Sequence, residues 1–212
     1  MKFDKQSLRL YAVTDRAFVG RQTLLEQIEA ALRGGVSILQ LREKSLPFDD
    51  FVAEAVLVRE LCRRYGVPLI INDNVDVALQ SGADGVHVGI EDAPVAEIRR
   101  KAGKEFIIGA TAKTVQQAQF AEQSGADYLG VGAVFPSPTK ANAVRITAAQ
   151  LRTICESVSI PAVAIGGITR ENALTLRNCG VQGIAVVSAL FSADDIESAA
   201  TALLQTAKAV IA

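Results

Sequence analysis

The stretch Gln80-Ser81-Gly82-Ala83-Asp84-Gly85-Val86-His87-Val88-Gly89 returns further along the chain as Gln123-Ser124-Gly125-Ala126-Asp127-Tyr128-Leu129-Gly130-Val131-Gly132, identical in its first five places. A weaker third copy is Cys179-Gly180-Val181-Gln182-Gly183-Ile184. Each copy reads as the end of a helix, a glycine stop, a short turn and an apolar strand. A shared turn geometry explains the likeness without any function, and it defines the unit from which the chain is built.

Outward from these copies the same alternation fills the sequence. Apolar runs of strand length fall at Leu10 to Val13, Val36 to Leu41, Pro68 to Ile71, Gly85 to Val88, Phe106 to Ala110, Tyr128 to Gly132, Ala162 to Ile165 and Gly183 to Val187, eight in all. Segments of helical period separate them: Leu24 to Arg33, Phe48 to Tyr65, Val75 to Gln80, Val95 to Ala102, Val115 to Ser124, Ala148 to Ser157, Arg170 to Asn178 and Asp194 to Val210. Thr23, Asn74, Thr114 and Thr147 are plausible helix caps, and Gly34, Gly66, Gly82, Gly125 and Gly180 are plausible stops. The strand runs are apolar almost throughout, as in a parallel sheet covered on both faces. Eight such units predict an α/β protein, a (β/α)8 barrel, with residues 1–212 forming a single domain. An open doubly wound sheet is the competing architecture. It more often carries a glycine-rich first turn, and Thr14-Asp15-Arg16 is unlike one.

Composition narrows the function classes. With 212 residues, half of them hydrophobic and 21% charged, the chain buries one good core. Its net charge of −1 offers no broad basic field for nucleic acid or anionic lipid, so anion binding has to be local. No apolar run approaches the ~18 residues of a membrane span, and Met1 to Leu10 lacks the apolar core of a signal peptide. The expectation is a soluble cytoplasmic protein. Cys62, Cys155 and Cys179 lack the spacing of zinc or redox motifs and are expected to be core thiols.

In such a barrel the loops after the strands build the site. Gln40, Leu41, Arg42, Glu43 and Lys44 end the second strand, Asn72 and Asp73 the third, and Glu91 and Asp92 follow the fourth. Thr111 follows the fifth, Lys140 the sixth, Gly166-Gly167 the seventh and Val187-Ser188 the eighth. Asp73 and Asp92 come from neighbouring strands and are expected to share one Mg2+, although a helix cap competes as the reading of Asp73. Arg42 suits a bidentate grip on phosphate, and Lys44 and Lys140 are point charges for a departing diphosphate. Gly166-Gly167 with Ser188 fits a separate phosphate pocket. Phe135 to Ala143 reads as a lid or an exposed loop. His87, the sole histidine, sits inside the fourth strand, where it reads as a hydrogen-bonded core imidazole at least as well as a catalytic one, and it is given no role.

The chain resembles the thiamine phosphate synthase family from Tyr11 to Ala189, on Gln-Leu-Arg-Glu-Lys at 40–44, Ile-Asn-Asp at 71–73, Gly-Val-His-Val-Gly at 85–89, Glu-Asp at 91–92, Pro-Ser-Pro-Thr-Lys at 136–140, Ile-Gly-Gly-Ile at 165–168 and Val-Val-Ser at 186–188. The resemblance implies two small-molecule substrates, hydroxymethylpyrimidine diphosphate and hydroxyethylthiazole phosphate, joined to give thiamine phosphate and diphosphate. It implies that Gln40 to Lys44, Asn72 and Lys140 hold the pyrimidine diphosphate and that Asp73 and Asp92 hold magnesium. Thr111 matches a pyrimidine-contacting hydroxyl, and Ser137, Pro138, Thr139, Gly167, Val187 and Ser188 fall at the thiazole phosphate. Arg42, Lys44 and Lys140 would assist the leaving group. The chain departs from the family pattern at Ile90 for the usual glutamine, Thr111 for serine and Ser137 for threonine; the last two keep a hydroxyl.

Two alternatives stay open at this stage. A thiazole tautomerase relative on the same barrel uses a histidine after the fifth strand, where this chain has Ala112-Lys113. A noncatalytic phosphate-binding regulatory barrel would need the phosphate pocket but not the paired acids. Neither nucleic acid nor membrane is an expected partner, and oligomeric state is not legible.

Overall fold

The structure, a computed structural model, describes residues 3–20, 22–137 and 144–212. Pro138, Thr139 and Lys140 therefore lie outside the described residues. The strands β1 (Leu10–Val13), β2 (Ile38–Leu41), β3 (Leu69–Asn72), β4 (Gly85–Val88), β5 (Ile107–Ala112), β6 (Tyr128–Gly132), β7 (Ala162–Ile165) and β8 (Gly183–Val186) pair in parallel and in sequence order. β8 returns to β1 through Tyr11 opposite Ala185, which closes the barrel.

Around the barrel run α1 (Leu24–Arg33), α2 (Phe48–Arg64), α3 (Val75–Ser81), α4 (Val95–Ala102), α5 (Val115–Gln123), α6 (Ala148–Glu156), the short α7 (Ser188–Phe191) and α8 (Ile196–Ile211). Thr23, Asn74, Thr114 and Thr147 do cap their helices by accepting from a backbone N–H three residues on. No helix among the described residues is long and apolar enough to cross a membrane.

The helix expected over Arg170 to Asn178 is reduced to a single 3-10 turn at Ala173–Leu176. Short polar side chains compete with the helical ladder there. Asn172 accepts from Thr169 N (2.9 Å) and donates to Gly167 O (2.9 Å), while the Thr175 hydroxyl donates to Asn172 O (2.7 Å). Those bonds draw the segment back towards the loop after β7 instead of winding it.

Side chains alternate across the sheet with period two. Leu10, Ala12, Leu39, Leu41, Leu69, Ile71, Val86 and Val88 belong to the layer between strands and helices. Tyr11, Val13, Ile38, Ile70, Ile107, Tyr128, Val163 and Ala185 fill the barrel interior. This parity turns Gln40, Asn72, His87 and Thr111 inward, and it turns Leu41 outward.

The repeat seen in the sequence has a structural purpose. Asp84, just before β4, accepts from Leu69 N at the start of β3 (2.9 Å), and Asp127, just before β6, accepts from Ile108 N on β5 (2.7 Å). Each aspartate fastens its strand to the preceding one. Gly82, Gly125 and Gly180 all take positive φ, the conformation that lets the chain leave the helix and enter this turn.

Of the cysteines, Cys62 and Cys179 are buried and Cys155 is half-buried, and none is in a disulfide. Burial pushes the Cys62 and Cys155 thiols up to about 12, which keeps them protonated and unreactive.

Candidate active site

At the carboxyl ends of the strands lies a cavity of about 800 Å³. Gln40, Arg42, Lys44, Asn72, Asp73, Asp92, Thr111, Ser137, Gly167, Val187 and Ser188 all line it. One rim thus gathers every described residue expected at the site except two. Leu41 is fully buried in the outer layer, and Glu43 turns away to meet Arg16 Nε at 3.0 Å, with its side chain 2% exposed. The contribution of these two side chains is structural support, because neither reaches the cavity.

Support for the second loop comes from the first. Thr14 Oγ1 accepts from Arg42 N (2.9 Å), Asp15 Oδ2 accepts from Arg42 Nη1 (3.0 Å), and Arg16 binds both Glu43 and Glu54 of α2. Thr14-Asp15-Arg16 is therefore a splint for the Gln40 to Lys44 segment, a role its sequence did not signal. Burial raises the Glu54 carboxyl and the nearby Glu43 charge adds to this, while Arg16 opposes both.

The acids occupy one wall. Asp73 sits in the left-handed region (φ 61) directly after β3, where its N–H donates to His87 O (2.8 Å) and prolongs the pairing with β4. Aspartate tolerates that conformation better than most residues, at some cost in strain. Its carboxylate accepts from Lys44 Nζ (2.7 Å) and from Asn72 Nδ2 (2.5 Å). Asp73 does not cap α3; Asn74 takes that position, which removes the competing reading. Asp92 Oδ2 accepts from Gly89 N (2.6 Å) and so folds its loop over the end of β4.

Among the described residues no group of three or more His, Cys, Asp or Glu forms a closed metal cage. Two carboxylates on the wall of an open cavity suit a hard cation that keeps waters and takes phosphate oxygens, as magnesium does.

Across the cavity, Gly166 (φ 102) and Gly167 (φ 61) let the loop after β7 pass under the loop after β6. A Cβ on Gly167 would stand 2.1 Å from Pro136 O, and one on Gly166 would stand 2.5 Å from Ala133 Cβ. Val134 N donates to Ile165 O (3.0 Å) and Phe135 N to Gly166 O (3.0 Å). Ser188 begins α7 beside them, so bare backbone and a hydroxyl face the same corner.

The interior beneath the cavity is polar: His87 is the hydrogen-bonded core imidazole that the sequence allowed, while the part of Tyr11 and Tyr128 was not foreseen. Tyr11, Tyr128 and His87 meet there, with the two phenol oxygens 2.7 Å apart and Tyr128 Oη 3.2 Å from His87 Nδ1. Burial raises both phenols above their ordinary range and lowers His87 to about 4, the latter opposed by the Asp92 charge. All three are neutral near pH 7. The available signal was the inward parity of these positions together with Gly109 and Gly130, whose lack of a side chain admits the rings: a Cβ on Gly109 would lie 2.4 Å from His87 Nδ1, and one on Gly130 2.9 Å from His87 Cε1.

These features define a (β/α)8 barrel whose cavity carries Arg42, Lys44, Asp73 and Asp92 after β2 to β4 and bare glycine backbone with Ser188 after β7 and β8. The family model described as thiamine monophosphate synthase matches residues 10–190. A thiamine-phosphate synthase of Ruminiclostridium cellulolyticum is 48% identical over 92% of this chain and 93% of its own. Thiamine-phosphate synthase 2 of Streptococcus pneumoniae is 47% identical over 95% and 96%. The solved thiamine phosphate pyrophosphorylase from Pyrococcus furiosus superposes with a TM-score of 0.90 at 39% identity, covering 98% of this chain and 99% of that one. The chain belongs to the thiamine monophosphate synthase family. These relatives give no support to the isomerase or the noncatalytic barrel.

Proposed function

We propose that the chain is a thiamine-phosphate synthase, joining hydroxymethylpyrimidine diphosphate to hydroxyethylthiazole phosphate with release of diphosphate. The observation that carries this reading is that Arg42, Lys44, Asn72, Asp73 and Asp92 share one cavity with Gly167 and Ser188. A diphosphate and a phosphate monoester thus have separate seats within reach of a common centre.

The bond that breaks joins the pyrimidine methylene carbon to the diphosphate oxygen, and its electron pair leaves with the diphosphate. The aminopyrimidine ring delocalises the cation left behind. The thiazole nitrogen then supplies the pair for the new C–N bond and becomes a thiazolium. No proton has to be removed in this sequence, so no strong base or protein nucleophile is required. Arg42 and Lys44 neutralise the departing charge, and Asn72 orients the diphosphate. Asp73 and Asp92 would hold magnesium, which when bound neutralises diphosphate oxygens. Lys140 joins this set on the family resemblance alone, as do Pro138 and Thr139 at the thiazole phosphate. Backbone amides around Gly167 and Val187, with the Ser137 and Ser188 hydroxyls, receive that phosphate.

Purified protein given both substrates and Mg2+ should form thiamine phosphate and diphosphate in equal amounts, and a chelator should stop it. Binding of both substrates without product would sink the reading. Lys140→Ala should slow the chemical step far more than it weakens thiazole phosphate binding, and Ser188→Ala should do the reverse.

A further inference from the structure

A continuous line of hydrogen bonds runs through the barrel from β2 to β5. Gln40 Nε2 donates to Tyr11 Oη (2.7 Å), Tyr11 Oη meets Tyr128 Oη (2.7 Å), Tyr128 Oη meets His87 Nδ1 (3.2 Å), and His87 Nε2 meets Thr111 Oγ1 (3.1 Å). Both ends, Gln40 and Thr111, line the cavity.

Each inner member has only one hydrogen to give: one per phenol and one per neutral imidazole. The direction at one end therefore sets the direction of the whole line. Gln40 places an amide hydrogen on Tyr11, so Tyr11 gives its own to Tyr128, and Tyr128 gives its own to His87 Nδ1. That nitrogen must be bare. The imidazole proton then sits on Nε2 and goes to Thr111 Oγ1, which leaves the threonine hydrogen free to point into the cavity. At the other end the Gln40 side-chain oxygen, Oε1, has no hydrogen-bond partner among the described residues, the amide being engaged only through Nε2.

We propose that Tyr11, Tyr128 and His87 are positioning residues that fix this one-way order, so that the cavity offers an acceptor at Gln40 Oε1 and a donor at Thr111 Oγ1 and thereby selects an aminopyrimidine over an oxopyrimidine. The amino group donates where Gln40 accepts, and an unprotonated ring nitrogen accepts where Thr111 donates. A ring carbonyl at the amino position would face the Gln40 oxygen with no hydrogen between them. A site built for a hydrogen bond rejects an analogue that leaves its buried groups unpaired more strongly than any apolar pocket rejects a methyl group. Gly109 and Gly130 show that the line is accommodated by the sheet, since a side chain at either position would overlap it. The proposal rests on the reading of the cavity as a pyrimidine diphosphate site.

His87 is the only histidine, so nitrogen NMR of protein labelled with 15N at histidine reports this ring alone. The free wild-type protein at neutral pH should show the Nε2–H tautomer with Nδ1 bare. An Nδ1–H tautomer, an even mixture or an imidazolium would overturn the proposal, because the reversed order presents a donor at Gln40. Tyr128→Phe removes the donor to Nδ1 and should shift the ring towards a mixture of tautomers; a ring signal equal to wild type's would count against the proposal. In kinetics, the same variant should lower the kcat/KM ratio of the aminopyrimidine diphosphate to its 4-oxo analogue by roughly tenfold or more, with the KM for thiazole phosphate unchanged. An unchanged ratio would overturn the proposal. Tyr11→Phe breaks the line at another point and serves if Tyr128→Phe fails to fold. A wild-type protein with the expected tautomer but no turnover of either pyrimidine would sink the proposed function while leaving the hydrogen-bond order standing.

Discussion

Lys44 Nζ lies 2.7 Å from Asp73 Oδ2, so the ammonium proposed for the diphosphate is paired with a carboxylate proposed for the metal. A metal cation at Asp73 would therefore compete with that ammonium for the carboxylate. Lys44→Met should tighten Mn2+ or Mg2+ binding to the substrate-free protein by roughly two- to fivefold, the scale of an exposed ion pair. The same change should lower kcat/KM for the pyrimidine diphosphate by about a hundredfold. Titration of the free protein with Mn2+, followed by paramagnetic resonance, separates the effects. Weaker metal binding in the variant would show that the pair does not compete.

Asp15 is absent from the cavity lining, yet it holds Arg42 Nη1 at 3.0 Å. Loss of a charge-assisted hydrogen bond of about 1.5 kcal/mol should free the guanidinium to wander. Asp15→Asn is expected to raise the KM for the pyrimidine diphosphate about tenfold while leaving that for thiazole phosphate as it was. Equal changes in both constants would argue for a general loosening of the barrel instead.

Gly167 (φ 61) and Gly66 (φ 68) have similar positive φ, but of the two only Gly167 has backbone within reach of a Cβ. Gly66→Ala should cost about 1 kcal/mol of stability from strain alone and leave kinetics untouched. Gly167→Ala carries the same strain plus an overlap with Pro136 O. Its melting temperature should fall further, and thiazole phosphate should bind more weakly because the loop after β6 is displaced. Denaturation curves for both variants, read beside their KM values, provide the comparison.

His87 is lowered from its ordinary 6.5 to about 4, chiefly by burial. The unfolded chain therefore binds a proton at a higher pH than the folded one. Stability from this group is fully present above pH 6.5 and drains away as pH falls towards 4, by on the order of 3 kcal/mol. His87→Gln removes the titration, so the stability difference between wild type and variant should shrink across that window. Urea unfolding at pH 7 and pH 4.5 measures it; parallel profiles would refute the assignment.

The barrel was legible because parallel strands covered on both faces leave long apolar runs, and those runs shifted in the structure by no more than two residues at either end. The expected helix at 170–178 failed for a local reason: Asn172 and Thr175 satisfy the backbone with their own side chains. Periodicity of apolar residues does not register that competition.

The charged residues that line the cavity were legible because a charge directly after an apolar run has few places to go except the rim. Glu43 shows the limit of that reasoning, since its neighbours Arg42 and Lys44 face the cavity while its own carboxylate turns to Arg16. Tyr11 and Tyr128 were hidden because a tyrosine within an apolar run reads as core, and core they are. Their polar function depends on which face of the strand they occupy, and that parity is blurred wherever both faces are apolar.

Asp84 and Asp127 lock neighbouring strands together at the pole of the molecule remote from the chemistry. The staves keep their alignment from that end, whereas at the opposite pole the loops after β6 and β7 brace each other as well as line the cavity. A redesign of what this barrel accepts would therefore exchange such loops in pairs and leave the duplicated aspartate turn in place as the anchor.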